Sequence, residues 1–441
     1  PIRRKRPNNF KTHHPRGIYG CTALPLMPQS FDMRRLTPIF LLLSLLLPLA
    51  RPALAQGWEA GYANGRMIGI DPYIKVTRGG PVHSFEGAYI FTPRATADGY
   101  DAAYGYPHFR FGLQVVDLSR IRLKDPDFRP LAAPSRLGTS VLLFAAFERP
   151  LLRTPQGWSL DYTLTQGVSL NTHKWHRTRN PENEMLGSRF AIYFGAGLHV
   201  AYRRGGWEFR AGPDFLHLSN SALHRPNKGA NAWLFQTSVR HYFDAASPDS
   251  LTRLQIPFTD CGFLVDVDYR LGLKTSVGEW LYDHNAERYG NPIRYGSYGL
   301  YASHGLGLGL LYRYSLKYAS GLGLDLTYEP YAGRIEVQNP ARPHDIGKTT
   351  IGLSLRHEAR YRRLAATFAL GIYLLRPLKR YALTDEEYGY YERIGLRYDF
   401  PCGLHTGFNI HAHRTKAYAG EWYVGFRFAP RKRKPIAPYQ P

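Results

Sequence analysis

His217 and Ser219 stand two residues apart in the stretch DFLHLSNSALHRPNKGANAWLF, residues 214–235. An apolar, aromatic run leads into them, and Asn220, a Pro-Asn pair and Gly229 follow before a second apolar run. Ser, Asn, Pro and Gly are the residues of a tight turn, so one reading is a polar cap on a hairpin. The other is half of a hydrolytic site. A serine hydroxyl is a weak nucleophile until a neighbouring imidazole takes its proton. The choice rests on which way the two side chains face, and so on the elements that carry them.

Those elements are strands. In Leu364–Leu374 every second residue is apolar, with Leu364, Ala366, Phe368, Leu370, Ile372 and Leu374 on one face. In residues 263–274, Phe263, Val265, Val267, Tyr269, Leu271 and Leu273 share a face, while Asp266, Asp268, Arg270 and Lys274 share the other. Leu322, Leu324, Leu326 and Tyr328 repeat the pattern against Asp325, Thr327 and Glu329. Period-two alternation over ten or more residues, one face apolar and one charged, suits a strand between lipid and a wet lumen. The expected fold class is therefore all-β: a transmembrane antiparallel β-barrel of the outer membrane, with about 12–16 strands. Sixteen segments alternate in this way, the first over 66–76 and the last over 419–428. Very short connections at 203–206, 361–363 and 401–403 contrast with long polar ones near 171–186, 277–295, 331–346 and 376–388. Such barrels carry short turns at the periplasmic end and long loops outside.

Alternation then answers the opening question. Trp207, Phe209, Ala211, Pro213 and Phe215 form an outward face, and His217 and Ser219 continue it. Glu208, Arg210, Gly212 and Asp214 point inward. On the next strand Asn231 shares the outward face with Trp233, Phe235 and Val239. Polar groups facing lipid are costly, so work on a lipid is their expected role.

The ends of the chain are read separately. Residues 1–32 are basic, rich in Pro, His and Asn, and lack an apolar period; they are expected to be an upstream translation artefact. Residues 33–55 read as a signal peptide: Arg34 and Arg35, an apolar Ile39–Leu49 core, then Ala53-Leu54-Ala55. The barrel is expected over 56–428, and 429–441 is a basic, Pro-rich tail. Residues 1–56 hold nine Lys/Arg against one Asp, so much of the formal +23 charge sits outside the barrel. Nucleic-acid binding is therefore a poor reading of the charge, and no nucleic-acid partner is expected; a basic surface toward anionic lipid fits better. Cys261 and Cys402 could pair in an exported protein, but spacing leaves this open.

The segment HLSNSALHRPNKGAN, His217–Asn231, resembles the signature of the PagL-type lipid A 3-O-deacylases, also called acyloxyacyl hydrolases. The agreement lies in His217, Ser219, Asn220, Pro226, Asn227 and Gly229. Weaker similarity runs through GYPHFRFGLQ, NPENEMLGS and YRRGGWEF, and downstream through HAHRTKAYAGEWYVGFRF. The resemblance implies an outer-membrane ester hydrolase that removes an acyl chain from lipid A, with Ser219 as nucleophile and His217 as general base. It implies oxyanion and substrate contacts around Asn220, Asn227 and Gly229, and no cofactor or metal. The family's third catalytic member is a glutamate, where this chain has Asn231. An amide oxygen can still orient an imidazole. It cannot stabilise an imidazolium by charge.

Partners expected are lipopolysaccharide, through its lipid A, and the membrane; association as a homodimer stays open. The alternative reading is a non-catalytic barrel, a pore or a lipopolysaccharide-binding pseudoenzyme. Glu421 is placed inward by its strand and is a poor candidate for the missing acid. His411 and His413 read as lumen residues, and His173 and His176 as solvated loop residues.

Overall fold

Alternation of apolar and polar side chains commits most of the chain to long strands, in a computed structural model that describes residues 56–68, 75–92, 99–124, 135–243, 261–332, 347–378 and 389–429. The expected signal peptide, the segment before it, and all of the basic tail but residue 429 lie outside the described residues. The first group of strands is β1 (Gly57–Ile68), β2 (Lys75–Arg78), β3 (Val82–Phe91), β4 (His108–Lys124), β5 (Ser135–Arg153), β6 (Trp158–Asn171), β7 (Phe190–Arg204), β8 (Trp207–Ser219) and β9 (Ala230–Tyr242). The second is β10 (Gly262–Thr275), β11 (Leu300–Arg313), β12 (Tyr318–Tyr328), β13 (Thr349–Tyr361), β14 (Leu364–Leu375), β15 (Tyr390–Asp399), β16 (Leu404–His413) and β17 (Lys416–Phe428).

The all-β transmembrane barrel stands, and sixteen long strands are present. They close as two rings of eight, however, where a single barrel over 56–428 was expected. In the first ring β1 pairs with β9, from Gly57 opposite Tyr242 to Ile68 opposite Asn231, and β4 pairs with β5 to complete the circle. In the second, β10 pairs with β17. The short β2 lies beside β4. Hydrophobic period fixes the face of a strand but carries no information about which distant strand closes the ring.

Eight strands leave an interior that side chains can fill, and charged pairs fill both. In the first barrel Arg240 is fully buried and reaches Glu59 (3.0 Å), Glu148 (2.6 Å) and Glu208 (3.0 Å), while Arg110 and Arg210 join the same carboxylates. In the second, Arg270 and Arg393 meet Asp325, and Arg397 and Arg427 meet Glu358. Outward positions are the reverse: Phe209, Trp233 and Phe235, and Leu306, Leu355 and Leu370, are each more than half exposed. Apolar surface on that scale needs a hydrocarbon surround. Among the described residues no helix is long and apolar enough to cross a membrane.

Three local expectations change. The first strand begins at Gly57 rather than 66, because Gly, Ala and Asn at 57, 60, 61, 63, 64 and 65 blur its alternation. The connection after β10 is not only loop. It holds a helix, α2 (Val277–Tyr289; the single-turn α1, Tyr100–Ala103, precedes β4), capped at Ser276, whose hydroxyl accepts from Glu279 N–H at 3.2 Å, and ended by Gly290 at φ 73°. The Ser276-x-x-Glu279 spacing was the available signal. Both Cys261 and Cys402 are free thiols.

Candidate active site

The site is built at the long-loop end of β8 and β9. Within this antiparallel pair His217 lies directly opposite Asn231, and one strand away it faces Phe194 of β7. His217 Nδ1 and Asn231 Oδ1 are 2.7 Å apart. An amide oxygen can only accept, so Nδ1 carries the proton and Nε2 is left with its lone pair. That is the tautomer a general base needs. Asn231 is buried and His217 nearly so, because the connections around them fold over the rim.

Ser219 follows two residues on, on the same outward face, and is also buried. Among the described residues no hydrogen bond joins Ser219 to the imidazole. Catalytic hydrogen bonds are often long before substrate binds. Below the pair the outer wall is aromatic: Phe215 and Trp233 have ring centroids 5.4 Å apart, and Phe194 flanks His217.

The connection from Asn220 to Gly229 is a network of its own. Asn220 N–H donates to Asn227 Oδ1 at 2.8 Å; its side-chain amide donates to His224 O at 2.9 Å and Ser188 Oγ at 3.1 Å. Gly229 N–H donates to Met185 O at 3.2 Å. Both backbone N–H groups therefore have acceptors within the turn. Gly229 also backs the imidazole. Its φ is +75°, and a Cβ there would stand 2.8 Å from His217 Cε1. The Asn-Pro-Glu-Asn-Glu stretch, 180–184, folds beneath this turn: Lys228 Nζ meets Glu184 at 2.6 Å.

The remaining candidates stay apart from the site. Glu421 is buried inside the second barrel with Arg393 (2.9 Å) and His411 (3.0 Å). His413 is buried there as well, bonded to Tyr373 at 2.8 Å. Of the loop histidines, His173 bonds the neighbouring Thr172 hydroxyl. No group of three or more metal-ligating side chains occurs among the described residues.

Comparison with known proteins divides the chain as the structure does. A family model described as lipid A 3-O-deacylase (PagL) matches residues 101–240, in the first barrel; one described as acyloxyacyl hydrolase, C-terminal domain, matches residues 265–432, in the second. Together they span well over half of the chain. The chain is thus an outer-membrane β-barrel of the acyl-ester hydrolase class. It belongs to the PagL-type lipid A 3-O-deacylase and acyloxyacyl hydrolase family. No curated protein matches it significantly. Among solved structures, it is similar to the outer membrane enzyme PagL at 14% identity and a TM-score of 0.27, covering 41% of this chain and 97% of that one. It is similar to Salmonella typhi OmpF at 8% identity and a TM-score of 0.17, covering 85% and 98%. The translocator domain of the autotransporter NalP from Neisseria meningitidis matches at 10% identity and a TM-score of 0.18, covering 90% and 96%.

Proposed function

We propose that the chain deacylates lipid A by a serine-histidine mechanism. Ser219 Oγ attacks the ester carbonyl while His217 Nε2 takes its proton; His217 then gives that proton to the departing alcohol oxygen of lipid A as the ester C–O bond breaks, and the acyl group left on Ser219 is released as fatty acid by a water that His217 deprotonates, the proton returning to Ser219 Oγ. Asn231 holds the imidazole through Nδ1–H. With the Asn220 and Gly229 N–H groups engaged in the turn, the oxyanion falls to the side-chain amide of Asn227, whose Oδ1 is spent on Asn220 but whose Nδ2 can donate. The observation that carries this reading is the 2.7 Å His217–Asn231 bond on the membrane-facing wall, beside Ser219. A pore is the weaker reading, because buried ion pairs cross both lumens.

The test is release of fatty acid from purified lipid A in detergent, with mass spectrometry of the product. Wild type should lose one acyl chain, and Ser219→Ala none. Unchanged lipid A from folded wild-type protein would leave the pseudoenzyme reading in its place.

A further inference from the structure

The geometry points to the second barrel as a brace for the nucleophile turn of the first, with Thr275 as the positioning residue. The inference rests on the serine-histidine reading above. Directly after Ser219-Asn220, Ser221 and Ala222 both adopt left-handed backbone conformations, at φ 54° and 63°. Neither is glycine, and such residues persist only where their surroundings over-determine them. Part of that determination comes from the other barrel. Ala222 O accepts two hydrogen bonds from one residue of β10: Thr275 N–H at 2.8 Å and Thr275 Oγ1 at 2.9 Å. Arg225 Nε adds a bond to Thr275 O at 3.4 Å. Ser221 is fully buried, and its hydroxyl lies 3.2 Å from where a Cβ on Gly420 would stand. Gly420 is the neighbour of Leu273 across the β10–β17 seam. A side chain there would meet both Ser221 and Phe408.

A second line reaches the imidazole. His284 of α2 lies 3.4 Å from Glu184, which holds Lys228 both by its side chain and, through Glu184 O, by its backbone N–H. Lys228 precedes Gly229, the residue packed on His217. Arg177 of the same loop meets Asp283 of α2 at 3.3 Å. The second barrel thus grips the turn after the nucleophile and the loop under the base. The two barrels work as one catalytic unit.

The test uses the full chain in detergent, with kcat and KM measured on lipid A and folding checked by heat-modifiable migration. Thr275→Ala removes one of the two bonds to Ala222 O and should lower kcat roughly three- to tenfold with KM little changed. Thr275→Ser keeps the hydroxyl and should restore kcat. Gly420→Leu wedges the turn away and should lower kcat by more than about tenfold, while Leu355→Ala on the lipid-facing wall of the same barrel should leave it unchanged. Folded Thr275→Ala with wild-type kcat overturns the brace, as does equal impairment of the Ala and Ser variants. If Gly420→Leu does not fold, the Thr275 pair decides alone. An inactive Ser219→Ala beside a fully active Thr275→Ala removes only the brace; an active Ser219→Ala removes the mechanism and the brace together.

Discussion

Asn231 is proposed to orient the His217 imidazole, and replacing it should separate orientation from charge. The amide accepts one hydrogen bond from the imidazole at 2.7 Å and is almost wholly buried. Asn231→Ala leaves a buried N–H without a partner, which costs about 1–3 kcal/mol, and frees the ring to turn its lone pair away from Ser219. The expected fall in kcat is roughly 5- to 150-fold. Asn231→Asp keeps the shape and adds a charge. As Ser219 gives up its proton the ring becomes cationic, and a carboxylate about 5 Å from its centre attracts it by ~3 kcal/mol at an effective dielectric near 20. Holding that carboxylate out of water takes back part of the gain. A rise in kcat corresponding to about 1–2 kcal/mol, some 5- to 30-fold, is expected. The assay is acyl release from lipid A in detergent, on variants of matched folded fraction. Asn231→Ala at wild-type kcat would show that the 2.7 Å bond orients nothing. Asn231→Asp falling to the level of Asn231→Ala would show that no imidazolium forms there.

Other outcomes follow from the same geometry. Ser219→Ala and His217→Ala should each lower acyl release by at least about a hundredfold while the barrel keeps its heat-modifiable migration; near-normal release by either removes that residue from the mechanism. Gly229→Ala puts a methyl 2.8 Å from His217 Cε1 at a left-handed φ, so kcat should fall by more than about tenfold with folding retained, read by the same assay. Arg240→Met leaves Glu59, Glu148 and Glu208 buried with one fewer cation and should destabilise the first barrel by about 3–5 kcal/mol, measured by urea unfolding in detergent.

Much of this protein is legible in its sequence. A strand shows alternate residues to opposite sides, so the period alone separates the lipid wall from the lumen. It places Glu208, Arg210, Asp266, Asp268 and Arg270 inward, where the structure buries them, and His217, Ser219 and Asn231 on the alternate face, where Ser219 and Asn231 are nonetheless buried. The last strand, expected over 419–428, is found at Lys416–Phe428. The first, expected over 66–76, is found at Gly57–Ile68, where small residues carry no hydrophobic signal. The candidate site could be picked out because the proposed chemistry needs particular residue types at short, fixed spacing.

Closure into two barrels was not readable. Ring closure depends on pairing between strands far apart in the chain, β1 with β9 and β10 with β17, and both pairings satisfy the same alternation that a single ring would. The short distances from Arg240 to Glu59, Glu148 and Glu208 exist only because eight strands bring β1, β5, β8 and β9 around one narrow axis. Nor could the sequence assign the backbone N–H groups of the site turn, because whether Asn220 and Gly229 donate to an oxyanion or to Asn227 and Met185 is set by how two loops meet. The contact of Thr275 with Ala222 is of the same kind. It joins residues more than fifty positions apart, on different barrels, and no local pattern of residue types encodes it.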